Sequence, residues 1–327
     1  MKAILPVAGV GTRLRPHTHT VPKALVPVAG KPILGHILDC LVPVGVDQVV
    51  LVVGHLGDKI VDYVRSHYRC SVEVVSQADQ LGLGHAIHLT RDFVRNDEPV
   101  LIVLGDTIFV ADLAPVVGGG SSFIGVKPVS NPSSFGVVEL NGSYIRRLVE
   151  KPEVAPSNLA VVGVYFITNT GLLFECLSEI LEKGIRVRGE YQLTDALELM
   201  IRKGGNISVF PVEEWYDCGS PATLLETNRK LLDKIGGGAV PIPGSIVIPP
   251  VAISPSARIT NCVIGPYVSV AENAEISRAV VRDSIITESA RVEDVLLSES
   301  LIGERAYVSG KYTRLNIGDS SSIQIMG

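Results

Sequence analysis

Residues 3–13 read AILPVAGVGTR, an apolar run that ends in two glycines, a threonine and an arginine. The apolar part is unbroken rather than alternating, as expected of a strand buried on both faces of a parallel sheet. Gly9 and Gly11 follow it, and their missing side chains let backbone N–H groups approach a phosphate closely. Arg13 adds a planar positive charge. The segment therefore predicts a buried strand followed by an anion-binding turn.

Three more unbroken apolar runs follow, and they alternate with amphipathic stretches of helical period. The runs are residues 48–54, 72–77 and 100–106, and the helical patterns lie roughly at 31–44, 57–68 and 82–95. Such βαβ repetition predicts a doubly wound, largely parallel (Rossmann-like) α/β sheet over residues 1–235. Ligands of such sheets bind at the carboxyl ends of the strands, and Gly105 and Asp106 stand at one of these ends.

The sequence pattern changes at a glycine run followed by several prolines. This composition indicates a linker over residues 236–240. Beyond it, apolar residues recur every five or six positions with small and polar residues between them. They are Ile253, Ile259, Ile264, Val270, Ile276, Val281, Ile286, Val292, Leu297, Ile302 and Val308. This imperfect hexapeptide repeat predicts a parallel β-helix over residues 241–327. A β-sandwich is the alternative, but it requires two-residue alternation and hairpin turns, and this segment has no Asn-Gly or Asp-Gly pair.

The composition excludes several classes of protein. Hydrophobic residues make up 46% of the 327-residue chain and charged residues 19%, a balance typical of folded proteins rather than disordered chains. The formal net charge is -5, so no general positive field is available to attract nucleic acid. Any anionic ligand must therefore be held by local Lys and Arg side chains.

The cysteines and the apolar runs indicate a location. The five cysteines are scattered, and no pair has the CxxC spacing of a zinc or redox site. An odd, scattered set is typical of free thiols in a reducing cytoplasm, where we expect this protein. The N-terminal apolar run is too short for a signal peptide, and no run approaches the ~18 residues of a membrane span.

The glycine-rich segment fits neither of two better-known phosphate loops. A dinucleotide fingerprint requires a third glycine where Leu14 stands, and a Walker A loop requires Ser or Thr where Pro32 follows Gly30-Lys31. The whole stretch reads Gly9-x-Gly11-Thr12-Arg13-Leu14-x-Pro16, then Pro22-Lys23-x-x-x-Pro27-Val28. This closely resembles the signature of the sugar-1-phosphate nucleotidylyltransferases. Over nearly its whole length the chain is most similar to the glucose-1-phosphate thymidylyltransferases, especially the long forms with a C-terminal left-handed β-helix.

Further segments carry the same resemblance. They are Gln77-x-x-x-x-Gly82-Leu83-Gly84-His85-Ala86, Gly105-Asp106, Phe135-Gly136-Val137-Val138-Glu139, Glu150-Lys151-Pro152, Arg188-Gly189-Glu190 with Leu193-Thr194-Asp195 just after it, and Trp215-Tyr216-Asp217-Cys218-Gly219. One departure occurs at Thr107, where thymidylyltransferases usually have Asn after the metal-binding Asp. It weakens the assignment of the nucleotide but not that of the metal.

The resemblance implies a reaction in which a nucleoside triphosphate and a sugar 1-phosphate give a nucleotide-sugar and pyrophosphate, with Mg²⁺ as cofactor. The favoured substrates are dTTP and glucose 1-phosphate, giving dTDP-glucose. Use of UTP, or of GTP with mannose 1-phosphate, is the alternative within the family. Thymine and uracil differ by one methyl group, which is worth only ~1–3 kcal/mol of discrimination.

The resemblance also implies a role for each matching residue. The expected nucleotide-binding residues are Ala8, Gly9, Gly11, Thr12, Gln77 and Gly82. The expected sugar-phosphate-binding residues are Gly136, Glu150, Lys151 and Arg188. The expected catalytic residues are Arg13, Lys23 and Asp106, and the expected metal ligands are Asp106 and Asp217. As isolated residues these would be read as strand-end carboxylates and solvated surface charges, so the motifs carry the inference.

Three other functions remain open. A glycosyltransferase of similar fold would also place an Asp and a metal at a strand end, but it does not need the segment from Gly9 to Lys23. A catalytically inactive regulatory homologue would typically have lost the loop Arg, the Lys or a metal Asp. Acyl transfer by the tail commonly needs a His base, and no His follows His88. We expect the tail to serve assembly or regulation in a homo-oligomer, because open β-edges are usually covered by a partner.

Overall fold

The structure, a computed structural model, describes residues 1–236 and 241–310 of the chain. It divides into two units, with the boundary between Thr227 and Asn228. Residues 237–240 of the predicted linker, and the part of the predicted β-helix beyond residue 310, lie outside the described residues. Within the described ranges, no helix is both long enough and apolar enough to cross a lipid bilayer.

The first unit combines strands and helices in alternation. Its strands are β1 (Lys2–Pro6), β2 (Pro27–Val28), β3 (Lys31–Pro32), β4 (Gln48–Val53), β5 (Ser71–Ser76), β6 (Val100–Val103), β7 (Thr107–Val110), β8 (Ser122–Pro128), β9 (Gly136–Asn141), β10 (Tyr144–Glu150), β11 (Leu159–Ile167), β12 (Ile207–Pro211) and β13 (Glu214–Asp217). Its helices are α1 (Ile33–Leu41), α2 (Gly57–His67), α3 (Leu83–His88), α4 (Ala114–Gly118), α5 (Thr170–Glu182) and α6 (Leu193–Arg202), and α7 (Pro221–Ile235) crosses the unit boundary. The four apolar runs found in the sequence correspond to β1, β4, β5 and β6.

Nine of these strands form one sheet in the order β5-β4-β1-β6-β11-β8-β12-β10-β9. The first four are parallel, and Ile4 at the centre pairs with both Val50 and Ile102. β11 is antiparallel to both β6 and β8. The prediction of a largely parallel sheet is therefore correct for β5-β4-β1-β6, whereas beyond β6 the sheet is mixed: β12 pairs parallel with β8, and the other pairings are antiparallel. The reason is that β8 to β11 follow one another without α-helices between them, and short connections favour antiparallel pairing.

The order of the parallel strands creates a crevice. The chain winds from β1 to β4 and β5 on one side and then returns to place β6 on the other side of β1. At such a switch point the connections after adjacent strands turn in opposite directions, and a cleft opens at their carboxyl ends. The glycine-rich segment follows β1 there, and Asp106 follows β6.

The second unit is built from short parallel strands. They are β14 (Ile246–Val247), β15 (Val251–Ile253), β16 (Arg258–Thr260), β17 (Val263–Ile264), β18 (Val268–Val270), β19 (Glu275–Ser277), β20 (Val280–Arg282), β21 (Ser284–Ile286), β22 (Arg291–Glu293), β23 (Leu296–Ser298), β24 (Leu301–Ile302) and β25 (Tyr307–Ser309). They form sheet I (β14-β17-β20-β23), sheet II (β15-β18-β21-β24) and sheet III (β16-β19-β22-β25). Every pairing is parallel, as in a β-helix and unlike the hairpins of a sandwich.

The predicted hexapeptide positions form the interior of this unit. Each sheet contributes one column of inward residues, and in sheet III the column is Ile259, Ile276, Val292 and Val308. All eleven apolar residues singled out in the sequence belong to these columns, and they pack into one apolar cluster. Burial of such side chains contributes ~25 cal/mol per Å² of apolar area, so the repeat itself accounts for the fold of this unit.

The corners between the strands repeat as well. One residue at each corner has a positive φ, and the set comprises Asn261, Tyr267, Asn273, Arg278, Asp283, Ser289, Asp294, Glu299 and Arg305. Several of their backbone N–H groups donate to carbonyl oxygens one coil earlier, as Arg278 does to Thr260 at 3.0 Å and Asp294 to Ser277 at 3.1 Å, and that of Asn273 donates to Ser256 Oγ at 3.0 Å. The corners thus hold the coils in register, although left-handed backbone is unfavourable for side chains other than glycine.

The three outer faces of the β-helix differ. The face of sheet II meets the end of α7 that belongs to the same unit, where Ser269 donates to Asn228 Oδ1 at 2.6 Å. The face of sheet III carries charged pairs such as Arg258 with Glu275 at 3.2 Å. The face of sheet I carries an outward apolar column, which consists of Ile246, Val263, Val280 and Leu296.

Candidate functional site

A cavity of about 870 Å³ lies at the carboxyl ends of the central strands of the first unit. It is lined by nearly every residue that the sequence assigned to a site. These residues are Ala8, Gly9, Gly11, Thr12, Arg13, Lys23, Gln77, Gly82, Asp106, Gly136, Glu150, Lys151 and Asp217. The cavity therefore brings together segments that lie far apart in the chain.

Gly9 and Gly11, which follow β1, are glycines for different structural reasons. Gly11 has φ 64°, and a Cβ there would lie 3.0 Å from both Lys23 Cβ and Thr18 Cγ2. A side chain at this position would therefore be strained and crowded. A Cβ on Gly9 would meet no atom within 4 Å. Because Gly9 lines the cavity, its bare backbone is open to a ligand.

One end of the cavity carries an ion pair. Lys23 Nζ lies 2.7 Å from Asp106 Oδ2, and the two side chains are 12% and 41% exposed. Lys23 begins the 3₁₀ turn Lys23–Leu25, and Asp106 follows β6. The pair neutralises both charges, and a charged ligand entering the cavity would compete for each partner.

Asp217 reaches the same end through a second, small sheet. β13 pairs antiparallel with β7, and this register sets Asp217 opposite Thr107, the neighbour of Asp106. A Cβ on Gly219 would lie 2.6 Å from Arg13 Nη2 and 2.8 Å from Asp217 Oδ1. Only a glycine leaves room there for the guanidinium and the carboxylate, so this corner gathers two carboxylates and two cations.

The donors at this corner fit a magnesium ion. Mg²⁺ in phosphate sites is usually held by one or two carboxylates, with substrate phosphates and water completing the shell. Asp106 and Asp217 supply such a pair on adjoining strand ends. Among the residues that the structure describes, no three His, Cys, Asp or Glu side chains gather into a complete protein-only metal site.

A second part of the cavity is formed after β5. Gln77 is 6% exposed, and its Nε2 donates to the carbonyl of Gly82 at 3.1 Å. Gly82 has φ 105°, and a Cβ there would lie 2.6 Å from the carbonyl oxygen of Tyr191. Gly82 is thus required for the close passage of the chain at Tyr191. Gln80, which the sequence analysis missed, donates to the carbonyl of Ala8 at 2.6 Å and ties this loop to the glycine-rich segment.

A further part of the cavity is polar. Thr194 Oγ1 donates to Glu150 Oε2 at 3.0 Å, and Lys151 Nζ lies 3.3 Å from Glu150 Oε1. A Cβ on Gly136 would lie 3.0 Å from Thr194 Cγ2 and 3.2 Å from Glu150 Oε2. This arrangement offers a carboxylate, a hydroxyl and a lysine to one ligand. Thr194 lies in the segment Leu193-Thr194-Asp195, which the resemblance placed near the sugar phosphate without giving Thr194 a role of its own.

Two aromatic side chains join these parts. Phe135 and Trp215 stack edge to face, with ring centroids 4.7 Å apart, and both line the cavity. Trp215 Nε1 is buried, and no group among the described residues accepts its hydrogen. Rigid aromatic walls of this kind shape a pocket at little conformational cost.

Arg188 is the exception among the predicted site residues. It does not line the cavity, and its side chain is exposed. Val187 and Glu190 exchange backbone hydrogen bonds of 2.9 and 3.1 Å, so Arg188 stands at the tip of a tight turn with φ 54°. Of the predicted segment Arg188-Gly189-Glu190, the residue that lines the cavity is Glu190 rather than Arg188.

A buried carboxyl group lies behind the polar part of the cavity, in the first turn of α6. Burial, together with the negative charges of Glu150 and Glu198, raises the pKa of Asp195 to about 6. Its Oδ2 is buried and has no hydrogen-bond partner within the described part of the chain. Because the folded state binds this proton more tightly than the unfolded state, the stability it contributes is lost as the pH rises through about 6.

Asp195→Asn should therefore stabilise the protein above that pH. We expect the melting temperature of the variant to exceed that of the wild type by ~2–4 °C at about pH 8, and the two to agree at about pH 4, where Asp195 is protonated. Thermal unfolding followed across this range tests the prediction. A constant difference at every pH would show that the charge of Asp195 is not the cause.

Comparison with known proteins agrees with this arrangement. The family model described as nucleotidyl transferase matches residues 2–234. A glucose-1-phosphate thymidylyltransferase of Streptomyces griseus is 34% identical over an alignment covering 99% of this chain and 99% of that protein. A low-salt glycan biosynthesis nucleotidyltransferase, Agl11 of Haloferax volcanii, is 31% identical and covers 99% of this chain and 100% of its own length.

A solved structure is similar to a large part of this chain. It is a UDP-glucose pyrophosphorylase complexed with UDP-glucose, with a TM-score of 0.63 and 28% sequence identity. The similarity covers 71% of this chain and 98% of that one.

Proposed function

The chain belongs to the nucleotidyl transferase family, and from that premise we propose that it joins a nucleoside triphosphate to a sugar 1-phosphate and releases pyrophosphate. The observation that carries the proposal is the division of one cavity into two parts. One end holds Arg13 and Lys23 beside Asp106 and Asp217, and the other holds Glu150, Thr194 and Lys151. The first suits a triphosphate, and the second suits the hydroxyls and phosphate of a sugar phosphate.

In the proposed reaction a phosphate oxygen of the sugar 1-phosphate attacks the α-phosphorus, and pyrophosphate leaves in line. The nucleophile is already ionised, so no general base is needed. The barrier comes from bringing two anions together, and positioning and charge neutralisation lower it. Arg13 binds the departing pyrophosphate, and Lys23 neutralises the phosphate under attack. Lys151 holds the sugar phosphate, and we propose that Arg188, on the turn beside the cavity, also contributes to this.

We propose Asp106 and Asp217 as the magnesium ligands. When bound, the ion would neutralise phosphate charge and help to align the two substrates. Lys23 already pairs with Asp106 at 2.7 Å, so its ammonium lies beside the carboxylate that would hold the ion and could contact a phosphate bound there. The sugar hydroxyls would be bound by Glu150 and Thr194, whose mutual hydrogen bond fixes both side chains in advance.

We propose dTTP and glucose 1-phosphate as the substrates, giving dTDP-glucose. What supports this choice is the thymidylyltransferase relative that aligns over 99% of both chains, together with the amide of Gln77 in the cavity. UTP is the alternative, supported by the similar UDP-glucose pyrophosphorylase structure. GTP with mannose 1-phosphate is the further alternative within the family, and an inactive homologue is disfavoured because Arg13, Lys23, Asp106 and Asp217 all line the cavity.

A substrate panel tests the proposed function. The protein is incubated with Mg²⁺, each nucleoside triphosphate and several sugar 1-phosphates, and pyrophosphate is measured. We expect dTTP and UTP to be used better than GTP or ATP, and Gln77→Ala to weaken the choice among bases without changing the metal requirement. A preference for GTP would overturn the assignment of the base, and a lack of pyrophosphate with every pair would overturn the reaction.

For the tail we propose a structural role in a cytoplasmic homo-oligomer, with the left-handed coil sense of the similar long forms. The outward apolar column of sheet I supports a contact with another copy, since Leu296 is 70% exposed and Ile246 62%. The cytoplasmic location is supported by five cysteines that are all free thiols. Light scattering by the full chain measures the number of copies, and a monomer would contradict the proposal.

A further inference from the structure

The orientation of the Gln77 amide is decided by its neighbours. One amide atom lies 3.1 Å from the carbonyl oxygen of Gly82. A carbonyl oxygen only accepts hydrogen bonds, so the amide atom that faces it must be the nitrogen, Nε2. The backbone on both sides is fixed, because Gln77 N–H donates to Val53 at 2.8 Å and Gly82 is packed against Tyr191.

The second hydrogen of the same nitrogen points at a histidine. Gln77 Nε2 lies 3.1 Å from His85 Nδ1, on the first turn of α3. An amide nitrogen only donates, so Nδ1 must accept, and His85 must be neutral with its proton on the other ring nitrogen. Both hydrogens of the amide are then used inside the protein.

The amide oxygen is left for a ligand. Gln77 lines the cavity, and none of the described residues donates a hydrogen bond to Gln77 Oε1. The Gln77 side chain has both a donor and an acceptor. Because its donor hydrogens are used within the protein, it presents only an acceptor to a base that binds in the cavity. A lone glutamine would turn its amide to suit either kind of base edge.

We propose that His85 is a positioning residue that locks the Gln77 amide, so that the cavity selects bases whose ring nitrogen carries a hydrogen. This proposal rests on the proposed function. Uracil and thymine carry such a hydrogen on N3, and Gln77 Oε1 accepts it. Cytosine has a lone pair on N3, which would face the lone pairs of Oε1, so CTP is rejected although it is also a pyrimidine nucleotide.

The surroundings keep His85 in the required state. Burial lowers the pKa of His85, and the nearby charge of Asp79 opposes that change. His88 follows one turn along α3, where burial, Arg91 and His85 lower the pKa of His88, so this second ring adds little positive charge beside His85. Protonation of His85 would put a hydrogen on Nδ1, directed at the amide nitrogen. The hydrogen bond that holds the Gln77 amide would then be broken.

Two variants test whether His85 positions the Gln77 amide. His85→Leu removes the acceptor, whereas His85→Asn keeps an oxygen near the position of Nδ1 and cannot become protonated. The readout is the ratio of kcat/KM for UTP to that for CTP, with glucose 1-phosphate and Mg²⁺. We expect His85→Leu to lower the ratio by ~10-fold, because one hydrogen bond typically provides a factor of this size. The change should come mainly from a higher KM for UTP and a lower KM for CTP. His85→Asn should retain the ratio.

The pH dependence of the wild type gives a second measurement that needs no destabilising variant. Between about pH 8 and about pH 5 the wild-type ratio should fall as His85 is protonated, and the ratio of His85→Asn should stay constant. Equal loss of kcat/KM for both nucleotides in His85→Leu, or identical pH profiles of wild type and His85→Asn, would overturn the proposal. A wild type that releases no pyrophosphate with either nucleotide would instead refute the proposed function.

Discussion

Asp106→Asn and Asp217→Asn should each lower turnover by at least ~100-fold, the scale expected when a main electrostatic group of an active site is lost. The amide keeps the size of the carboxylate but removes the charge that would hold Mg²⁺ against the phosphates. The β7–β13 pairing places the two residues on adjoining strand ends, so we expect neither to replace the other. Pyrophosphate release measured over a range of Mg²⁺ concentrations tests both variants.

The two variants should also differ from each other. Asp106→Asn leaves Lys23 without the partner at 2.7 Å, so it should alter phosphate binding as well as the metal requirement. Asp217→Asn should chiefly raise the Mg²⁺ concentration needed for half-maximal rate. Asp62→Asn, on an exposed position of α2, is the matched control and should have no effect. Near-normal turnover in either cavity variant would refute its role as a metal ligand.

Lys23→Met should lower kcat by ~10²–10³-fold, because the ammonium neutralises charge that develops at the phosphate under attack. Methionine keeps most of the apolar stem, which packs at Gly11, where a Cβ would lie 3.0 Å from Lys23 Cβ. We therefore expect the variant to fold normally. Its turnover at saturating substrates separates loss of catalysis from loss of binding.

The control for this prediction is Lys59→Met. Lys59 is exposed and donates to the carbonyl of Thr20 at 2.8 Å, away from the cavity lining. It should keep wild-type kinetics. If Lys23→Met raised KM while kcat stayed unchanged, Lys23 would bind both ground and transition states equally and would have no catalytic role.

The parts of the site that follow β1, β5 and β6 could be predicted from sequence because buried parallel strands have an unbroken apolar pattern. Once those strands are recognised, the residues after them must meet at one edge. Asp217 could be assigned only by resemblance, since its place depends on the pairing of β13 with β7. Neither strand has a pattern that reveals its partner.

The misassignments have physical causes of the same kind. Nothing in the sequence shows that Arg188 stands at the tip of a turn closed by Val187 and Glu190. The hydrogen bond from Gln80 to Ala8 joins two loops after different strands, and no local pattern predicts it. The mixed half of the sheet was missed because apolar patterning reports burial and not strand direction.

The β-helix could be predicted in more detail because each of its contacts repeats. An inward residue such as Ile276 has equivalents on the coils before and after, Ile259 and Val292. The same inward apolar position therefore recurs several times along the chain. The end of α7 that joins this unit could not be anticipated. Its contact depends on Asn228, whose partner Ser269 has no special sequence signal.

The regular corners of the β-helix have a consequence for how this protein can change length. Equivalent residues on successive coils are related by one full coil, as Val268 is to Ser284. Loss or duplication of a whole coil would return every following side chain to its column and every corner to its left-handed residue. An insertion of one residue within a strand would instead turn the side chains that follow it in that strand to the opposite face. Through evolution, the tail should therefore grow and shrink in complete coils, while the catalytic unit keeps its length.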